Sequence, residues 1–254
     1  MSAPEVVIRN VTKRFQSAAM PVLEAIDLSV DRGDFVSIIG PSGCGKSTLL
    51  KLIAGLSPIT AGEISVNGLT PAAAREQVSF VFQDATLMPW RTVTENIELG
   101  LELEGKPRAE RSAVVAKLLD LVGLAHVAQH YPRQLSGGMK MRVSIARALA
   151  TTPRLLLMDE PFAALDEMTR DRMNEELLRL RKEQGWTVIF VTHSVAEAVF
   201  LSSRVVILAP HPGRVAHQLE VDLPHPRTAE TRESDEFDSL VNHTSKLLRE
   251  AHRV

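Results

Sequence analysis

The stretch that most constrains this 254-residue chain is GPSGCGKST, Gly40 to Thr48. It follows the apolar run FVSII and precedes KSTLLKLIAGL, which has helical periodicity. Strand, glycine-rich loop and helix in this order match the phosphate-loop pattern G-x-x-x-x-G-K-[ST]. The fold must therefore set a buried strand directly before a helix start, as α/β sheets do. Gly40, Gly43 and Gly45 let the backbone wrap round phosphates, with Pro41, Ser42 and Cys44 between them. Lys46 can reach β/γ oxygens, Ser47 can hold Mg²⁺, and Thr48 closes the motif. A helix end alone contributes only about 0.3–1 kcal/mol toward an anion, so Lys46 and the metal must carry much of the charge compensation.

Four further apolar runs read as strands buried on both faces: VSFVF (78–82), LLLM (155–158), TVIFVT (187–192) and VVIL (205–208). Helical patterns separate them, which predicts a largely parallel sheet. VVIRNV and LEAIDLSV alternate more and predict a small antiparallel flank. Strand signals vanish between Asp84 and Ala150, so this stretch reads as a helical insert. Proline turns follow Pro210, and Phe237, Leu240, Val241, Thr244, Leu247 and Leu248 then mark an amphipathic helix packed on the core.

LLLMDEP places Asp159 and Glu160 at the C-terminal end of a buried strand, where α/β proteins bind ligands. Asp159 suits a Mg²⁺ shell, and Glu160 can orient or deprotonate an attacking water. Gln83 and His193 end two other strands, and Asp166 follows the turn after Glu160. Parallel strands bring such ends to one edge, so Gln83 can sense metal or water and His193 can bond a γ-phosphate. A second anion cradle lies in LSGGMKMRVSIARAL: Ser136 caps a helix start, Gly137 and Gly138 follow, and Met141, Ile145 and Leu149 form its apolar stripe. It could act within the chain or on a second chain. His126 and His130 have a metal-binding spacing but no evident third ligand, so they read as a solvated helix end. Cys44 reads as a small loop residue.

Composition excludes other classes. With 29 basic and 31 acidic residues and no basic run, a nucleic-acid partner is not expected. The single cysteine excludes an internal disulfide, and MSAPEVVIRN does not read as a signal peptide. No apolar run reaches the roughly 18 residues a span requires, so a membrane role must come through partners.

In order, GPSGCGKST, Gln83, LSGGMKMR, LLLMDEP, AALD and His193 resemble the ATPase subunit of an ATP-binding cassette transporter over nearly the whole chain. The resemblance implies an α/β, P-loop NTPase core with a mostly parallel sheet, an antiparallel β flank and an inserted helical subdomain. The implied division of 1–254 is a core of 1–83 and 151–210, a helical subdomain of 84–150, and a tail of 211–254 packed on the core. It also implies ATP and Mg²⁺ as cofactors, and Phe15 as the aromatic that stacks on adenine. Gly40 to Thr48, Ser136 to Gly138 and Asp166 would bind nucleotide. Ser47, Gln83 and Asp159 would serve the metal, and Glu160, His193 and Gln83 catalysis. Implied partners are a paired cassette, identical or not, transmembrane permease subunits and, indirectly, a solute-binding protein, at the cytoplasmic face of a bacterial inner membrane. Where the family usually has glutamine after LSGG, this chain has Met139. LSGGMKMR, DEPFAALDE and ILAPHPGRV look most like the importers of nitrate, sulfonate and taurine. Leu87, Met88, Pro89 and Trp90 are expected to form an apolar groove for a helix of a membrane subunit.

Overall fold

The computed structural model describes residues 4–16 and 19–252. The apolar runs form the centre of a six-stranded sheet of order β5-β6-β7-β3-β8-β9. Its members are β3 (Phe35–Ile39), β5 (Val78–Val81), β6 (Leu155–Asp159), β7 (Thr187–Val191), β8 (Arg204–Ala209) and β9 (Arg214–Glu220). The pairs from β5 through β8 are parallel, and β9 joins β8 antiparallel. Three strands lie antiparallel beside it in the order β2-β1-β4: β1 (Val6–Lys13), β2 (Leu23–Val30) and β4 (Ala61–Val66).

The helices are α1 (Lys46–Ile53), α2 (Val93–Leu103), α3 (Arg108–Leu121), α4 (Gly137–Ala150), α5 (Glu167–Gln184), α6 (Val195–Leu201), α7 (Ala229–Arg232) and α8 (Asp235–Ala251). Between β5 and β6 the described chain contains helices and turns and no strand. Successive residues of the central strands serve opposite cores, as a pleat requires. Leu156, Met158, Val188, Phe190, Val205 and Ile207 face the larger core under α2–α6 and α8. Leu155, Leu157, Ile189, Val191, Val206 and Leu208 face a second core, shared with α1 and the antiparallel sheet. α8 lies with Phe237 edge-on to Phe200 of α6.

Two strand readings need correction, and a third strand has no counterpart in the sequence reading. β5 is an edge strand whose first three residues are only partly buried, not a strand covered on both faces. β4 and β9 carry no apolar run, so residues 61–66 gave no strand signal and residues 214–220 read as part of the tail's turns. β9 completes the main sheet instead. His126 and His130 do not share a helix: His126 lies in the short turn Ala125–Val127, and His130 follows it.

Candidate active site

Four adjacent parallel strands end on one edge. β3 runs into the phosphate loop, β5 into Gln83, β6 into Asp159 and Glu160, and β7 into His193. They enclose a cleft of about 310 Å³, walled by Ser42, Gly43 and Gly45–Ser47 on one side and by Gln83, Glu160 and His193 on the other.

The loop is shaped by close approach. Gly45 has φ 99°, and a Cβ there would sit 2.5 Å from Leu23 Cδ2. At Gly40 a Cβ would lie 2.7 Å from the Leu208 carbonyl oxygen. Cys44 is buried, and burial pushes its thiol above the ordinary range, so it fills space and is not a nucleophile. Side chains of Thr92, Ser136, Asp166, Ser194 and Ser234 cap α2, α4, α5, α6 and α8. α1 has no side-chain cap, so its first N–H groups face the cleft as anion donors. Lys46 Nζ donates to the carbonyls of Gly40 (2.8 Å) and Pro41 (3.0 Å). An ammonium has three donors, so one remains.

Ser47 Oγ donates to Asp159 Oδ1 at 2.9 Å. Asp159 is buried, and desolvation raises its pKa against the lowering effect of that bond. A hydroxyl and a buried carboxylate on adjoining elements are hard oxygen donors, a set that fits Mg²⁺. Glu160 stands in the left-handed region (φ 50°), pinned by its N–H to the Val191 carbonyl at 2.9 Å. Its Oε1 lies 2.6 Å from His193 Nε2, and its Oε2 accepts from Gln83 Nε2 at 3.3 Å.

The remaining candidates lie elsewhere. Ser136 Oγ accepts from the Met139 N–H at 3.3 Å, and a Cβ on Gly137 would meet nothing within 4 Å. A Cβ on Gly138 would lie 3.2 Å from the Ala164 carbonyl oxygen, so the glycine-tipped start of α4 rests on the 162–165 turn. Asp166 caps α5 by accepting from the Thr169 N–H at 3.0 Å, which holds its carboxyl below the usual range. Neither Ser136–Gly138 nor Asp166 lines the cleft around Lys46. Phe15 is 43% exposed, with Lys13 Nζ 4.8 Å from its ring centre; it is not a core residue and lies outside the cleft walls.

Trp90 is 71% exposed. Its loop is braced by Asn96, a residue the sequence did not single out. Buried Asn96 accepts from the Met88 N–H and donates to the carbonyls of Met88, Arg91 and Thr92. The only advance sign was an amide on the buried stripe of an otherwise ordinary helix.

The family model described as ABC transporter matches residues 23–163. The aliphatic sulfonates import ATP-binding protein of Bacillus cereus is 43% identical over 93% of this chain and 94% of its own. The bicarbonate transport and nitrate import ATP-binding proteins of Synechococcus elongatus are 48% and 45% identical over 87% and 91% of this chain, which spans 34% and 36% of their lengths. A solved dimeric post-hydrolysis state of an ATP-binding cassette bound to ADP and Pi is 35% identical, with TM-score 0.80, and covers 86% of this chain and 100% of its own. A phosphate loop, an acidic strand end and a separate glycine-tipped helix on one such frame have one shared explanation: this chain belongs to the ABC transporter family.

Proposed function

We propose that this chain is the ATP-hydrolysing subunit of an importer for a small solute of the nitrate, sulfonate or taurine type. It works as a pair of cassettes bound to separate membrane permeases, at the cytoplasmic face of a bacterial inner membrane, with a solute-binding protein feeding the permeases. The relatives named for sulfonate, nitrate and bicarbonate support the solute class. Among the described residues no helix is long and apolar enough to cross a membrane, which agrees with attachment through partners. We assign residues 84–150 to a helical subdomain and the rest to the nucleotide-binding core and its tail.

The observation that carries the reading is the split between two half-sites. One holds Lys46, Ser47, Glu160, Gln83 and His193 in a single cleft, with buried Asp159 bonded to Ser47; the other, Ser136–Gly138, does not line that cleft. Two chains related by a two-fold axis would complete both sites at once. The phosphate loop and Lys46 bind the triphosphate, Phe15 stacks on the base, and the partner's signature helix and Asp166 turn close the γ-phosphoryl face. Ser47 and Asp159, with Gln83 nearby, would hold Mg²⁺, which supplies charge neutralisation on the β- and γ-oxygens. Glu160 accepts a hydrogen bond from water and aligns it for in-line attack. As the bond to the β-side oxygen breaks, His193 bonds the γ-oxygens, and ADP and phosphate leave as the dimer opens.

Exposed Trp90, on a loop fixed by Asn96, is assigned to the groove that receives a permease helix. Crosslinking through Trp90→Cys should reach a permease subunit, and reaction with none would remove that assignment. Glu160→Gln tests the site itself: nucleotide binding should persist, hydrolysis should stop and an ATP-bound dimer should accumulate. Normal turnover in that variant would overturn the assignment.

A further inference from the structure

Glu197 breaks a local rule. Ser194-Val195-Ala196-Glu197 has the capping-box spacing, in which the glutamate side chain normally reaches back to the N-cap N–H. Ser194 does cap α6, accepting from the Glu197 N–H at 3.2 Å. The Ser194 N–H, however, donates to Thr192 Oγ1 at 3.0 Å, and Thr192 Oγ1 in turn donates to Glu197 Oε2. The carboxyl thus holds the strand-to-helix turn that carries His193 through an interposed hydroxyl.

The other side of Glu197 faces α5. Its Oε1 is buried without a partner, and so is Oδ1 of Asn174, a residue only 2% exposed. Burial raises the pKa of this carboxyl and outweighs Arg170 and Asn174 of α5, which favour its charged form, while Asp171 of α5 opposes that form. Buried acceptors without a donor are costly, and a proton on the carboxyl, donated towards Asn174 Oδ1, would relieve both. Arg170 also donates to the carbonyls of Phe162 (3.3 Å) and Leu165 (2.9 Å), in the turn that supports Gly138.

We infer that Glu197 is a positioning residue for His193, tying its turn to α5 and through α5 to the turn beneath the signature helix. It does so as a neutral acid, accepting from Thr192 and donating to Asn174. Burial, which pushes this carboxyl upward, agrees with that state. Within one chain α5 therefore meets both the turn beneath the signature helix, through Arg170, and the carboxyl that holds the His193 turn.

This inference rests on the proposed role of His193, and steady-state ATPase kinetics on the full chain separate the two. Glu197→Gln should keep kcat close to wild type, because its amide reproduces both bonds of the neutral acid. Glu197→Ala and Thr192→Val should lose kcat by about tenfold or more, with KM and the affinity for a fluorescent ATP analogue unchanged. In a His193→Ala background the Glu197→Ala loss should disappear, since it acts through that imidazole. Should Glu197→Ala fail to fold, Glu197→Gln and Thr192→Val carry the test. A Gln variant as slow as the Ala or Thr192→Val variant overturns the inference, and so does a rise in KM at constant kcat. If His193→Ala turns over normally, the reading of the site is wrong. If it is slow and the Glu197 loss adds in full, only the present inference fails.

Discussion

The backbone at Glu160 yields a prediction that separates stability from chemistry. A Cβ-bearing residue in the left-handed region costs about 1–2 kcal/mol, and Glu160 has φ 50°. Glycine relieves that cost but gives the unfolded chain more freedom, worth about 0.4–1 kcal/mol in the opposite direction. Glu160→Ala and Glu160→Gly both delete the bonds to His193 and Gln83, so comparing them isolates the backbone. The Gly variant should be the more stable by about 0.5–1 kcal/mol. For a chain of this size that is a melting point about 1–4 °C higher. Thermal unfolding by circular dichroism, without nucleotide, measures it, and both variants should be dead in hydrolysis. An Ala variant that melts at or above the Gly variant would refute the claim that strain is stored under the Glu160 carboxylate.

Two other outcomes follow from buried charge. The Asp159 pKa is raised, so its ionised form opposes folding: the cost is absent below about pH 3.9 and grows as pH rises through the folded pKa. Asp159→Asn should therefore melt above wild type at pH 7, the two should converge near pH 4, and Mg²⁺-dependent hydrolysis should be lost; a lower melting point at pH 7 would contradict this. Arg227 is 4% exposed and donates to the carbonyls of Val199, Phe200, Ser202, Val221 and Leu223. Burial, reinforced by Arg181, pushes its guanidinium down to about 10, yet it locks the C-terminal segment to α6. Arg227→Met orphans those carbonyls and should cost about 3 kcal/mol or more in urea unfolding, and a loss under about 1 kcal/mol would show that the lock is dispensable.

The parts legible in sequence were those whose signal is local. Phe35–Ile39 and Leu155–Asp159 are buried at every position, so their apolar runs mark them without context. The phosphate loop is also local as a pattern, strand then glycines then helix, although the contacts that require Gly40 and Gly45 come from distant Leu208 and Leu23. β4 was silent since only Ile64 and Val66 of it are buried, and β9 because none of its residues, at the sheet's edge, is fully buried. Gln83, Glu160 and His193 could be listed one by one, but only the strand order β5-β6-β7-β3 makes them neighbours. Asn96, Asn174, Glu197 and Arg227 left almost no trace. Each acts on backbone or side chains that folding brings to it, and in sequence each is one more polar residue in a helix or loop.

The most direct measurement is hydrolysis rate per chain against chain concentration, with the association state followed by light scattering. If neither half-site suffices, the specific rate falls towards zero on dilution, in step with loss of the ATP-bound dimer. A specific rate that stays constant at dilutions where every chain is a monomer would contradict the account.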